Sequence, residues 1–270
     1  MANLEQIIAN KNASDTQWQH QQQAERENVT EMQNYGIEMI TTDPAQYVRF
    51  LTMQGDNPGY SAGNVAIVLA GLNGATMFGT RERWQSMGRT VLEEQQGQGV
   101  KIFARDPRTK AYALADAYDI SQTQGREVRR RPLREDTEEM SSALSTLLNY
   151  SKAKLDIDKD LATPAYFDEQ SRELVINPDF PDEEAFASIA AEVALTRYHD
   201  KGYNRDYSWA RYELDAQSVS YILCRRYGIE PKTPNMERLA ERFCRIEKYQ
   251  CKAATGNTQD VTKGIRPTPH

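Results

Sequence analysis

Apolar positions along the chain change period several times, and each change marks an element. Residues 15–39 are rich in Gln and Glu, with scattered apolar residues at Trp18, Val29, Met32 and Ile37, and Ile40 just beyond. That pattern predicts a polar helix lying over something else. Residues 41–55 read TTDPAQYVRFLTMQG: Thr42 or Asp43 caps, Pro44 takes the first turn, and Tyr47, Phe50, Leu51 and Gln54 recur at helical spacing. GDNPGYS breaks the chain, and Ser61 caps the apolar helix AGNVAIVLAGL. RERWQSMG predicts a brief helix. GVKIFAR (99–105) and KAYALADAYDIS (110–121) alternate or run apolar and predict a hairpin turning at DPRT.

EVRRRPLRED (127–136) is a charged, proline-containing hinge that places a domain boundary. Beyond it, EEMSSALSTLLNYSKA predicts a helix, and residues 162–180 predict two short strands around a polar turn. PDEEAFASIAAEVALTRYHDKG and SWARYELDAQSVSYILCRRYG predict long helices, the first opening on acids and followed by Gly202. NMERLAERFCRIEKYQ predicts a last amphipathic helix, and the polar stretch from Ala253 predicts disorder. The expected fold class is α+β. Its units are a helical extension (1–39), a domain of helices on a small sheet (40–126), a charged linker (127–140), a helical domain with a short hairpin (141–252) and a disordered tail (253–270).

Composition changes this picture little. With 270 residues, 39% hydrophobic and 27% charged, the chain has enough core to fold alone. It has no run of 18 apolar residues and no basic start followed by an apolar stretch, so neither a membrane span nor a signal peptide is expected. Cys224, Cys244 and Cys251 have spacings that match neither a zinc finger nor a disulfide framework; they read as reduced thiols of a cytoplasmic protein, with Cys244 and Cys251 on one helical face. Charge is uneven: residues 40–131 sum to +3 and residues 132–230 to −9. A balance of +3 is far from the footprint of a dedicated DNA binder, and the asymmetry suggests two modules with different partners.

One constellation suggests chemistry. SIAAEVALTRYH (188–199) carries Glu192 on a helix, and YELDAQSVSYILC (212–224) follows about twenty residues later. A zinc peptidase pairs such helices: histidines four residues apart on the first give two nitrogens to the metal, the Glu between them acts as general base, and the second helix adds an acidic ligand. Here the histidine positions hold Ala191 and Leu195, and the chain has only His20, His199 and His270. Glu213 and Gln217 lie one turn apart on the second helix, able to face Glu192, with Asp215 pointing elsewhere. A displaced site would have to draw on Glu192, His199, Glu213 and Asp206. The plainer reading gives Glu192 a hydrogen bond or a salt bridge to Arg197 or Arg211, and ends the helix with His199 near its negative pole.

Residues 44–91, with Tyr60-Ser61 followed by Asn64, Trp84-Gln85 and Gly88-Arg89, resemble the N-terminal domain of ArdC-like antirestriction proteins, including the LtrC-like proteins of conjugative elements. YALADAYDISQTQG (112–125) is similar to the strand and turn that close that domain. From Ala162 to Glu230 the chain resembles the metallopeptidase domain that follows it, with AAEVAL where the family has HELAH. The resemblance implies single-stranded DNA binding by the first domain and a zincin-like second domain. The family's metal positions fall on Ala191, Leu195 and Gln217, so no metal and no cofactor is expected, with Glu192 a remnant and no catalytic residue left. LEEQQGQG (92–99) replaces a lysine-rich turn, which removes phosphate contacts. The remaining nucleic-acid candidates are Tyr60, Ser61, Asn64, Arg81, Arg83, Trp84, Arg89 and Lys101, with Phe78 and Arg105 beside them; single-strand binders combine cations with aromatic platforms. Against this, each aromatic taken alone reads first as core and Arg129–Arg131 first as a solvated linker, while Tyr60, Ser61 and Asn64 read equally as a cap and turn. The implied function is a nonenzymatic accessory protein of a mobile element. It would touch single-stranded DNA weakly and offer a protein-binding surface on its acidic second domain. The alternatives are a metal-dependent peptidase with a displaced site and a purely structural interaction module.

Overall fold

The computed structural model describes residues 3–105, 111–129, 132–200, 207–243 and 248–264. The DPRT turn, Arg130, Arg131, Gly202, Asp206, Cys244 and His270 lie outside them.

Helix α1 runs unbroken from Leu4 to Thr42, capped by the Asn3 side chain. Its second half is no separate extension: Val29, Gln33, Gly36, Ile37 and Ile40 are buried in the first core. Helix α2 (Pro44–Asp56) starts where the sequence places it, with the Asp43 carboxylate accepting from the amides of Ala45 and Gln46. Helix α3 (Ala62–Gly71) starts at Ser61 and is buried along nearly its whole length. It crosses α1 so closely that a Cβ on Gly36 would sit 2.3 Å from the Ala66 carbonyl oxygen. Against these helices lies an antiparallel sheet of order β1-β4-β3, formed by Phe78–Thr80 (β1), Val100–Arg105 (β3) and Tyr112–Asp119 (β4). Short helix α4 (Arg81–Ser86) follows β1, and strands β2 (Arg89–Val91) and β5 (Thr123–Gly125) pair beside it.

The second core gathers α5 (Glu138–Tyr150), a three-stranded sheet and α6 (Asp182–Asp200). The expected hairpin of β7 (Ala165–Asp168) and β8 (Glu173–Ile176) is present, and an additional strand, β6 (Lys154–Ile157), joins β8 in parallel. Helix α7 (Trp209–Tyr227) ends at Gly228, whose φ of 72° suits the left-handed cap. It serves both cores. Leu214, Tyr221 and Ile222 pack into the first, and Tyr212, Ala216, Val219 and Leu223 into the second. Polar contacts tie α7 to α2: Tyr47 Oη to Ser218 Oγ at 3.0 Å, Thr52 Oγ1 to Tyr221 Oη at 2.8 Å, and Arg225 donating to both Asp56 oxygens at 2.8 and 3.1 Å.

The C-terminal region differs from the sequence reading. The described residues there form α8 (Arg238–Phe243) and α9 (Lys248–Gly264), and residues 244–247 of the expected amphipathic helix lie outside them. The stretch from Ala253, expected to be disordered, is thus helical as far as Gly264. It is held because Ala254, Thr255, Thr258, Gln259, Val261 and Thr262 are buried against the body. Gln259 accepts from the Ala62 amide at 3.1 Å and donates to the Tyr60 carbonyl, and Arg226 donates to the Thr262 carbonyl at 3.0 Å.

Candidate functional site

The helix that carries Glu192 lies along the outer edge of β7. An edge strand leaves alternate main-chain groups unpaired. Two of them are taken by α6 side chains one turn apart: Ala165 N–H donates to Ser188 Oγ at 3.2 Å and Phe167 N–H to Glu192 Oε2 at 2.8 Å. Neither Arg197 nor Arg211 is the partner of Glu192; the Arg197 guanidinium lies over the Tyr150 ring at 4.6 Å. Burial pushes the Glu192 carboxyl up to about 7, and the Phe167 amide opposes that shift. Ser188 was not singled out from the sequence. Its spacing of four from Glu192 was the available signal, but its partner is a strand that only the fold brings near.

The three positions corresponding to metal ligands have other tasks. Ala191 packs beside the second core, and Leu195 is 2% exposed within it. Gln217 donates to Glu213 Oε1 at 3.2 Å and accepts from the Asn235 amide at 2.7 Å. The other Glu213 oxygen accepts from Arg238 Nε at 3.0 Å. Asp215 does point elsewhere, to Arg242 at 2.8 Å. Burial raises the Asp215 carboxyl, and Arg242 counters that shift. His199 packs edge-on against Phe167 and Tyr207, with ring centroids 5.6 and 4.9 Å away. Tyr207 in turn stacks on Tyr212. The three described members of the displaced set have other partners: Glu192 is bonded to a strand, Glu213 to an arginine, and His199 is wedged among rings. Among the described residues no three His, Cys, Asp or Glu side chains are grouped to hold a metal. A zincin metal does not fit this donor set, because two of its positions are hydrocarbon and the third is an amide already bonded.

Most of the nucleic-acid candidates hold the first core together. Trp84 is 1% exposed and donates its indole N–H to the Tyr118 carbonyl at 2.9 Å, so it has no face for a base. Phe78 is 2% exposed, with the Tyr60 ring 4.4 Å away. Tyr60 Oη accepts from the Thr80 amide at 3.1 Å, and burial raises its phenol. Ser61 Oγ caps α3 by accepting from the Asn64 amide at 3.2 Å. The Asn64 side chain clips α3 to β3, donating to the Phe103 carbonyl at 2.7 Å and accepting from its amide at 3.1 Å. Arg89 grips the turn after β4, donating to Thr123 Oγ1 and to the carbonyls of Thr123, Arg126 and Ile120. That turn is itself fixed by Asp119, which accepts from the Thr76, Met77 and Ser121 amides. Lys101 sits 3.5 Å from Asp116 and 4.0 Å from Glu25, and Arg105 lies over the Tyr112 ring. Arg81 and Arg83, both on α4, are exposed and make no ion pair among the described residues. Arg129 of the linker is exposed and pairs with Glu127.

Burial pushes the Cys224 thiol up to about 12, and Cys224 and Cys251 are both buried. Among the described residues no helix is long and apolar enough to cross a membrane.

No protein-family model matches the chain, and no curated protein matches it. Among solved structures it is similar to the antirestriction ArdC protein from plasmid R388. The metal-free structure is 14% identical, with a TM-score of 0.48, over 76% of this chain and 82% of that one. The Mn(II)-bound structure is 17% identical, with a TM-score of 0.47, over 77% and 86%.

Proposed function

We propose that the chain is a noncatalytic, ArdC-like accessory protein of a conjugative or other mobile element. Its second domain serves as a protein-binding scaffold with an antirestriction-like role. The observation that carries this reading is the occupation of the metal positions: Leu195 fills core, Gln217 is bonded to Glu213 and Asn235, and Glu192 is spent on the edge of β7. The net −9 of residues 132–230 suits a basic protein surface, or mimicry of DNA charge toward a restriction enzyme, better than it suits DNA. The test is elemental analysis of the full chain after loading with zinc or manganese and desalting, alongside a peptide-hydrolysis assay. Far less than one metal per chain and no hydrolysis are expected; stoichiometric metal overturns the reading.

Of the sequence's nucleic-acid candidates, Arg81 and Arg83 are the exposed cations outside ion pairs among the described residues, so the first domain's contact with single-stranded DNA is electrostatic, weak and salt-sensitive. Fluorescence anisotropy of a labelled oligonucleotide should show binding at low salt, lost in Arg81→Ala/Arg83→Ala and at physiological salt. A purely structural interaction module is the second reading. Internal commitment of Tyr60, Ser61, Asn64, Trp84, Arg89 and Lys101 favours it, and no binding at low salt would select it.

A further inference from the structure

Helix α1 is about 58 Å long at 1.5 Å per residue, and its first half stands exposed. Residues 3–21 are all exposed, including Leu4, Ile7, Ile8 and Trp18 at 69, 54, 57 and 63%. At roughly 100° per residue these four share one stripe with Lys11 and Asp15. The same stripe continues through Val29, Gln33, Gly36 and Ile40, where the body of the protein buries it. One helical face is thus covered at one end and bare at the other. Most helical stability in proteins comes from packing such a face.

The charges on the bare stripe say what covers it. Lys11 and Asp15 are of opposite sign and one turn apart. A two-fold axis near residue 13, with the helices antiparallel, sets each Lys11 against the partner's Asp15 and each Trp18 against the partner's Ile8. Leu4 then reaches the partner's Gln22, where the body begins. Parallel pairing in register would set lysine on lysine and aspartate on aspartate across the seam. The stripe is therefore complementary to itself in one orientation, as a two-fold interface requires. We infer that the projecting half of α1 binds a second copy of this chain as an antiparallel helix pair.

Sedimentation equilibrium of the full chain between about 1 and 200 µM tests this. A dimer of the 30.8 kDa chain that dissociates on dilution is expected. Ile8→Glu/Trp18→Glu should be monomeric. Lys11→Glu alone and Asp15→Lys alone should each weaken pairing about tenfold or more, because each sets like charges face to face. Both changes in one chain should restore the dimer, and an equimolar mixture of the two single variants should form a heterodimer. All four positions are exposed, so the thermal transition followed by circular dichroism should keep its shape in every variant. A chain that stays monomeric at 200 µM overturns the inference. So does a dimer that survives Ile8→Glu/Trp18→Glu, or one indifferent to the charge exchange.

Discussion

Glu192 holds the edge of β7 with a carboxyl whose folded value, about 7, lies above the usual 4.5. Between those two pH values the folded chain keeps a proton that the unfolded chain releases. Stability should therefore fall as pH rises through the window and level off above it, at a cost of about 3 kcal/mol. Glu192→Gln keeps an acceptor for the Phe167 amide and cannot ionise. Urea unfolding at pH 5 and pH 8 should show the variant gaining a few kcal/mol on the wild type at the higher pH. An equal difference at both pH values would assign the slope to another group. A second residue-scale test is Gly36→Ala, whose Cβ would collide with the Ala66 carbonyl oxygen. Forcing α1 away from α3 should cost about 1–3 kcal/mol, read as a lower urea midpoint with an unchanged slope. The absence of donor atoms at Ala191 and Leu195 was legible from residue types alone. What Glu192 does in their absence was not, because its partner is a main-chain amide 25 residues away in sequence.

Elements with an apolar stripe and a capping residue were readable: Asp43 starts α2, Ser61 starts α3, and alternation marks β3 and β4. Elements whose buried side is polar were not. Helix α9 buries Thr255, Thr258, Gln259 and Thr262, so its hydrophobic pattern reads as a tail, and its cohesion comes from hydrogen bonds. Strand β6 shows four exposed residues and is recognisable only through its ladder with β8. The same blindness affected the nucleic-acid candidates. Trp84 among arginines has the composition of a stacking platform as well as of core, and the Tyr118 carbonyl that takes its indole N–H settles it as core. If Gln259 is what seats α9 on the start of α3, Gln259→Ala should cost about 1–3 kcal/mol by leaving the Ala62 amide and Tyr60 carbonyl unpaired. Faster hydrogen exchange at Ala62 than in the wild type would place the loss there, and unchanged exchange would show that α9 is held elsewhere.

At the scale of the whole molecule, the charged linker at 127–136 suggested two independent domains, yet α7 belongs to both cores. Its Leu214, Tyr221 and Ile222 pack into the first core beside α2 while Ala216, Val219 and Leu223 pack into the second beside α6, and Arg225 closes on an Asp56 side chain only 4% exposed. Helix α9 adds a second tie across the same seam. A helix shared in this way makes the unfolding of either core expose apolar surface of the other, which is the physical condition for a single cooperative transition. Calorimetry of the full chain should therefore give one peak whose calorimetric and van't Hoff enthalpies agree. Residues 1–129 expressed alone keep α1 to α3 and their sheet but lose α7, α8 and α9, leaving Tyr47, Phe50 and Leu51 without cover. That fragment should lack a cooperative melt and should bind a hydrophobic dye that the full chain does not. Two resolved peaks in the full chain, or a sharp melt of the fragment, would mean that the α7 contact adds little and that the linker does separate two folding units.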